Sequence, residues 1–194
     1  MELFLDIDGV ILDFEAGFMD FIRDEYIHDL PPGYVPKSWT MDDEFGALDI
    51  QEVWDRFLAT KRFTQLNLLI DAQSFNQVAA RFPIHLITNL PKSQYLQRQQ
   101  NLEFHSLKYT SLHLAGHFNY GDENYPSKSD AVAKLRTPGK RLIFLDDHPR
   151  NCQNIKNAFP ESEVFLMSRP HNSKAEVEDW IRVDSWDEFL LQLD

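Results

Sequence analysis

Leu3-Phe4-Leu5-Asp6-Ile7-Asp8-Gly9-Val10 is a short apolar run that gives way to two acids and a glycine. A run of this length bounded by polar residues has the character of a buried strand, and Gly9 permits the sharp turn that ends it. Ile84 to Ile87 is followed in the same way by Thr88 and Asn89, and Leu142 to Leu145 by Asp146 and Asp147. Ser111 to Leu114 and Val164 to Met167 complete a set of five predicted strands. Helical patterns separate most of them. Asp71 can cap a helix whose apolar face is Phe75, Val78, Ala79 and Phe82, and Ser127 one that buries Ala131, Val132 and Leu135. Strand and helix in alternation predict an α/β fold, a doubly wound parallel sheet that binds its ligands at the carboxyl ends of the strands. Asp6, Asp8, Thr88, Asn89, Asp146 and Asp147 all fall on that edge.

The first crossover is far too long. From about Phe14 to Arg81 the chain runs well beyond the dozen or so residues that a parallel connection needs. Phe14, Phe18, Phe21, Ile22 and Tyr26 share one helical face, and Ile50, Val53, Trp54, Phe57 and Leu58 another. Pro31, Pro32, Gly33 and Pro36 mark an irregular connection between them, which also carries Tyr34 and Trp39. A helical cap inserted after the first strand is the expected arrangement, with a core of residues 1–13 and 82–194 and a cap of 14–81. Its aromatics serve equally well as packing and as a surface for a ring.

The 194 residues carry 19 basic and 31 acidic side chains, a formal charge of −12. That field repels a nucleic-acid polymer, so DNA and RNA are not expected partners. It leaves room for one small anion, because a bound cation at a local site outweighs distant, screened charges. Cys152 is the only cysteine, which rules out an intramolecular disulfide and suits a reducing compartment, the cytoplasm. The apolar opening lacks a basic start and a cleavage site, and no run reaches the length of a membrane span, so no membrane association is expected.

Several acids at one sheet edge repel one another unless a cation or a proton relieves them, which points to a hard metal with oxygen ligands such as Mg2+. Any one of these residues has an ordinary alternative. Thr88 can simply end a strand, Lys128 can be a solvated helix residue beside Ser127, and Asp147 can cap the next helix.

Taken in order, Asp6-Ile7-Asp8-Gly9-Val10, Thr88-Asn89, Lys128 and Asp146-Asp147 resemble the four motifs of the haloacid dehalogenase superfamily. The resemblance spans nearly the whole chain. It implies a Rossmann-like three-layer sandwich and a magnesium-dependent phosphomonoester hydrolase in which Asp6 is the nucleophile and Asp8 the acid, then the base. Within the superfamily an acid two residues after the nucleophile marks phosphatases and phosphotransferases, and dehalogenases lack it. Thr88 and Asn89 would bind the phosphoryl group, and Lys128 would offset its charge, with Lys134 a substitute position. Magnesium would be held by Asp6, the Asp8 carbonyl and Asp146, with Asp147 behind them.

Asp8 to Phe18 is further similar to the 5′(3′)-deoxyribonucleotidase family, as are Asp146-Asp147-His148-Pro149 and Arg169-Pro170-His171-Asn172. This implies a nucleoside or deoxynucleoside monophosphate substrate, with Phe14, Phe18 or Trp39 against the base or sugar. Most of the insertion shows no such match. A sugar phosphate or other small organic phosphate, transfer to an acceptor other than water, and a silent binding module all stay open, and the oligomeric state is not legible.

Overall fold

The computed structural model describes residues 1–36, 41, 44–46, 48–116, 125–176 and 179–193. Trp39 lies outside them. β1 (Glu2–Leu5) leads into α1 (Phe14–Glu25), α2 (Ile50–Leu58) and α3 (Ala72–Arg81) before β2 (Ile84–Thr88). There follow α4 (Tyr95–Phe104), β3 (Ser111–Leu114), α5 (Lys128–Leu135), β4 (Leu142–Asp146), α6 (Pro149–Ala158) and β5 (Glu163–Met167), then β6 (Ile181–Val183) and α7 (Trp186–Leu190).

The six strands form one parallel sheet in the order β3-β2-β1-β4-β5-β6. All four residues of β1 are buried, as expected of a central strand covered on both faces. Leu3, Leu5, Ile84, Leu86, Ile143 and Leu145 face one half of the core, which includes Phe75 and Val78 of α3 and Leu102 of α4. Phe4, Leu142 and Phe144 face the other half, with Ala131 and Val132 of α5 and Cys152 and Ile155 of α6. The result is a three-layer α/β sandwich.

Five strands were legible as apolar runs, and the sixth was not. β6 has only three residues, Ile181 is exposed at the sheet edge, and Arg182 interrupts the apolar pattern. Among the described residues its strand partner is β5.

Register decides what meets at the carboxyl edge. Leu5 lies level with Leu86 on one side and Leu145 on the other, and the Asp6 amide donates to the Leu145 carbonyl at 2.9 Å. One step further along β1 and β4 the chain delivers Asp6 and Asp146 side by side, and two residues beyond Leu86, at the end of β2, comes Thr88. Gly9 completes the turn with φ +75°. A side chain there would strain the backbone, and its Cβ would stand 1.9 Å from Asp147 Oδ2. The glycine therefore lets the β1 turn approach the acid that follows β4.

In the long first crossover, α1 and α2 pack through Phe14, Phe18, Trp54 and Phe57 with ring centroids 4.6 to 5.9 Å apart. Asp13 and Asp49 cap these helices through side-chain bonds to Ala16 N and Glu52 N. α3 packs against the C-terminal helix, where Phe75 meets Trp186 and Ser74 accepts from the Trp186 indole at 2.9 Å.

Candidate active site

Asp6, Asp146 and Asp147 are all buried, and one carboxylate oxygen from each lies within 4.8 Å of the others. Lys128, at the start of α5, reaches between two of them. Its Nζ is 2.7 Å from Asp6 Oδ2 and 2.7 Å from Asp146 Oδ2. Ser127 caps that helix, so the lysine enters the site from the first turn of a fixed element. Lys134 stands elsewhere, over the Tyr125 ring. Asp146 is held further by the His148 amide at 2.8 Å and by Asn151 Nδ2 at 3.1 Å.

Three buried carboxylates against one ammonium leave two excess negative charges. Burial pushes the Asp6 carboxyl well above the usual carboxylate range, and Asp146 and Asp147 add to this while Lys128 opposes it. Asp147 is raised too, first by burial and next by Asp146. Lys128 is driven above the ordinary lysine range by the two aspartates despite its burial. Asp147 Oδ2 is buried and accepts no hydrogen bond among the described residues, although His171 Nε2 stands 3.3 Å away. An oxygen-only donor set with surplus negative charge and an unsatisfied carboxylate oxygen fits a hard divalent cation.

That fit gives a prediction. A carboxyl raised by folding contributes stability that is complete below its unfolded value of about 4 and is lost as pH rises through the folded value. Without divalent cations, thermal stability should therefore fall with rising pH on account of Asp6 and Asp147. Magnesium at a hundred times its dissociation constant should restore about 2.7 kcal/mol near pH 7.5. It should restore progressively less toward pH 5, because protons then compete for the same oxygens. A magnesium-independent melting point at every pH would contradict the cluster's assignment to a cation.

Thr88 is fully buried, and its hydroxyl donates to Asp8 Oδ2 at 3.1 Å. Asn89 turns its amide to the carbonyls of Ala115 and Gly116, at 2.8 and 2.6 Å. Asp8 is partly exposed and lines a cavity of about 250 Å³, whose apolar wall is Phe14, Met41, Trp54 and Leu69. Asp13, Glu15, Asp147, Arg169 and His171 are on its polar side. Phe14 thus reaches the cavity, while Phe18 is fully buried behind it against Phe14, Trp54 and Phe57. A second, more polar cavity of about 230 Å³ includes Asn89, Lys128, Arg150 and Asn151, and Trp54 borders both.

Two residues of the site were missed in the sequence. Asn151 lies one turn into α6, three residues beyond its cap His148, a spacing that any exposed helix residue shares. Arg98 is fully buried on α4 and binds Asp8 through Nη2 at 2.6 and 2.8 Å. A weak signal was present in the Gln-rich stretch. Arg98, Asn101, Leu102 and His105 follow the i, i+3, i+4, i+7 spacing of an inward face, with polar residues where apolar ones would be usual.

The fold is that of haloacid dehalogenase-like proteins. A crystal structure of an L-2-haloacid dehalogenase superposes with a TM-score of 0.64 at 14% identity, covering 100% of this chain and 99% of that one. A Lactobacillus plantarum protein described as a phosphoglycolate phosphatase gives 0.63 at 13%, covering 100% and 98%. A Bacillus subtilis protein described as a HAD-hydrolase, bound to magnesium, gives 0.61 at 14%, covering 99% and 97%. No family model matches the chain, and no curated protein matches it. At such identities the likeness concerns the fold. Among the described residues no helix is long and apolar enough to cross a membrane.

Proposed function

We propose that the chain is a magnesium-dependent phosphomonoester hydrolase working through an aspartyl-phosphate on Asp6, with residues 14–81 as a cap over a core of 1–13 and 82–194. The observation that carries this reading is the Lys128 ammonium seated between Asp6 and Asp146, with Asp8 two residues beyond Asp6 at the wall of the cavity.

Asp6 attacks phosphorus, and Asp8 protonates the departing oxygen. Dehalogenases share the fold, but a halide leaves as a stable anion and needs no proton, whereas an alkoxide does. An acid beside the leaving-group cavity therefore favours phosphoryl transfer. With substrate bound, Thr88 would turn its hydroxyl from Asp8 Oδ2 to a phosphoryl oxygen, Asn89 borders the same group, and Lys128 offsets charge on it and on Asp6. Asp6, the Asp8 carbonyl and Asp146, with Asp147 behind them, would hold magnesium, which when bound would supply neutralising positive charge. Asp8 then takes the proton from the water that hydrolyses the intermediate.

The substrate we favour is a nucleoside or deoxynucleoside monophosphate, because Phe14 and Trp54 offer a ring surface on the wall that Asp8 shares. The single buried cysteine suits the cytoplasm. Phosphate release with magnesium across nucleoside monophosphates, deoxynucleoside monophosphates, sugar phosphates and an aryl phosphate tests this. A deoxynucleotide preference of tenfold or more, about 1.4 kcal/mol, is the expected result. Preferred turnover of a sugar phosphate would keep the phosphatase and discard the substrate, and release from none would leave a binding module.

A further inference from the structure

Arg98 has no part in phosphate or metal binding as described above, yet it is the largest fully buried side chain among the described residues. Its Nη2 meets both oxygens of Asp8, and Thr88 meets Oδ2 as well. Nε and Nη1 make no hydrogen bond among the described residues. The Phe63 ring lies 4.7 Å from the guanidinium carbon. A buried arginine kept only for packing would be expected to satisfy its planar fork of donors, since each unpaired buried N–H is costly. This one leaves two nitrogens unpaired and fixes one carboxylate.

The support behind it is also built. Arg98, Asn101 and His105 lie along one face of α4 and its cap, and Asn101 Nδ2 donates to the Phe63 carbonyl at 3.1 Å. His105 Nε2 is 2.6 Å from the Leu66 carbonyl. The return leg of the insertion is thereby tied to α4 where Phe63 backs the guanidinium.

We propose that Arg98 is a positioning residue that fixes the Asp8 carboxyl at the wall of the cavity, with Phe63 as its backing. The proposal rests on the phosphatase reading. As an Asp6 oxygen bonds to phosphorus, the bond from phosphorus to the leaving oxygen breaks, its electron pair stays on that oxygen, and the proton of Asp8 moves to it. Water then bonds to phosphorus and gives a proton to Asp8, and the phosphorus–Asp6 oxygen bond breaks with its pair returning to Asp6.

The test compares kcat/KM for an alkyl phosphate with that for a nitrophenyl phosphate in wild type, Arg98→Met and Arg98→Lys. This parameter reports steps up to the first irreversible one, and a nitrophenolate departs without a proton. Arg98→Met should lose about 100-fold on the alkyl substrate and less than about 5-fold on the nitrophenyl one. Arg98→Lys should recover part of the ratio. Because both substrates meet the same preparation, the ratio does not depend on the fraction folded, and Arg98→Lys carries the measurement if the methionine variant is insoluble. Equal losses on both substrates, or no loss on either, would overturn the positioning role. Absence of Asp6-dependent release from wild type on either substrate would instead overturn the phosphatase reading, and this proposal with it.

Discussion

Asp6→Asn is expected to lower phosphate release by about 10⁴-fold or more while the protein stays folded, because it removes the attacking oxygen and leaves the shape of the site unchanged. The fold should tolerate the change well. Burial and two neighbouring acids already oppose a charge at Asp6, so a neutral amide relieves the cluster. Lys128 keeps its second contact, to Asp146 at 2.7 Å. At pH 7 without metal, the thermal midpoint of the variant should equal or exceed that of wild type. A variant that melts normally and still turns over at the wild-type rate would remove Asp6 as nucleophile.

Lys128→Met should have the largest effect on stability. The lysine is buried, and its ammonium is the only cation among the described residues in contact with both Asp6 and Asp146. Methionine fills similar space but strands the buried Asp6 and Asp146 and takes one opposing charge from Asp147, a loss of about 3–5 kcal/mol by analogy with broken buried pairs. The pH dependence identifies the cause. Without the ammonium, Asp6 and Asp147 lose an opposing charge and are pushed still higher than burial and their neighbours already hold them. Protonation then relieves the repulsion, so the deficit should be largest at pH 7 to 8 and shrink as pH falls toward about 4, the unfolded value. Magnesium should narrow it at neutral pH. A deficit independent of both pH and magnesium would mean that Lys128 acts through packing alone; denaturant melts of the two proteins at several pH values read this directly.

The sheet was readable because each central strand is an apolar run cut off sharply by polar residues. Leu3 to Leu5, Ile84 to Ile87 and Leu142 to Leu145 carry both their burial and their ends in the sequence, and parallel register then brings those ends level. β6 left no such trace, since three residues at an edge need not be apolar on both faces. In the site, the approach of Asp6 to Asp146 follows from β1 lying beside β4, an order that the apolar runs by themselves do not give. The contact of Arg98 with Asp8 spans 90 positions and depends on how α4 is rotated, which a Gln-rich helix with a weak apolar stripe hardly specifies. The same applies to the aromatics of the long first crossover. Phe14 and Phe18 are equivalent on a helical wheel, yet only Phe14 reaches the cavity, because Trp54 and Phe57 of α2 enclose the other.

The most direct measurement is to quench the enzyme during turnover of an aryl phosphate with magnesium, reduce it with borohydride, and locate the modified residue by peptide mass spectrometry. An acyl phosphate on Asp6 is reduced to homoserine, so homoserine at position 6 in wild type, and its absence from Asp6→Asn, is the predicted result. Continued turnover with position 6 unmodified, or modification at a different carboxylate, would contradict the aspartyl-phosphate mechanism.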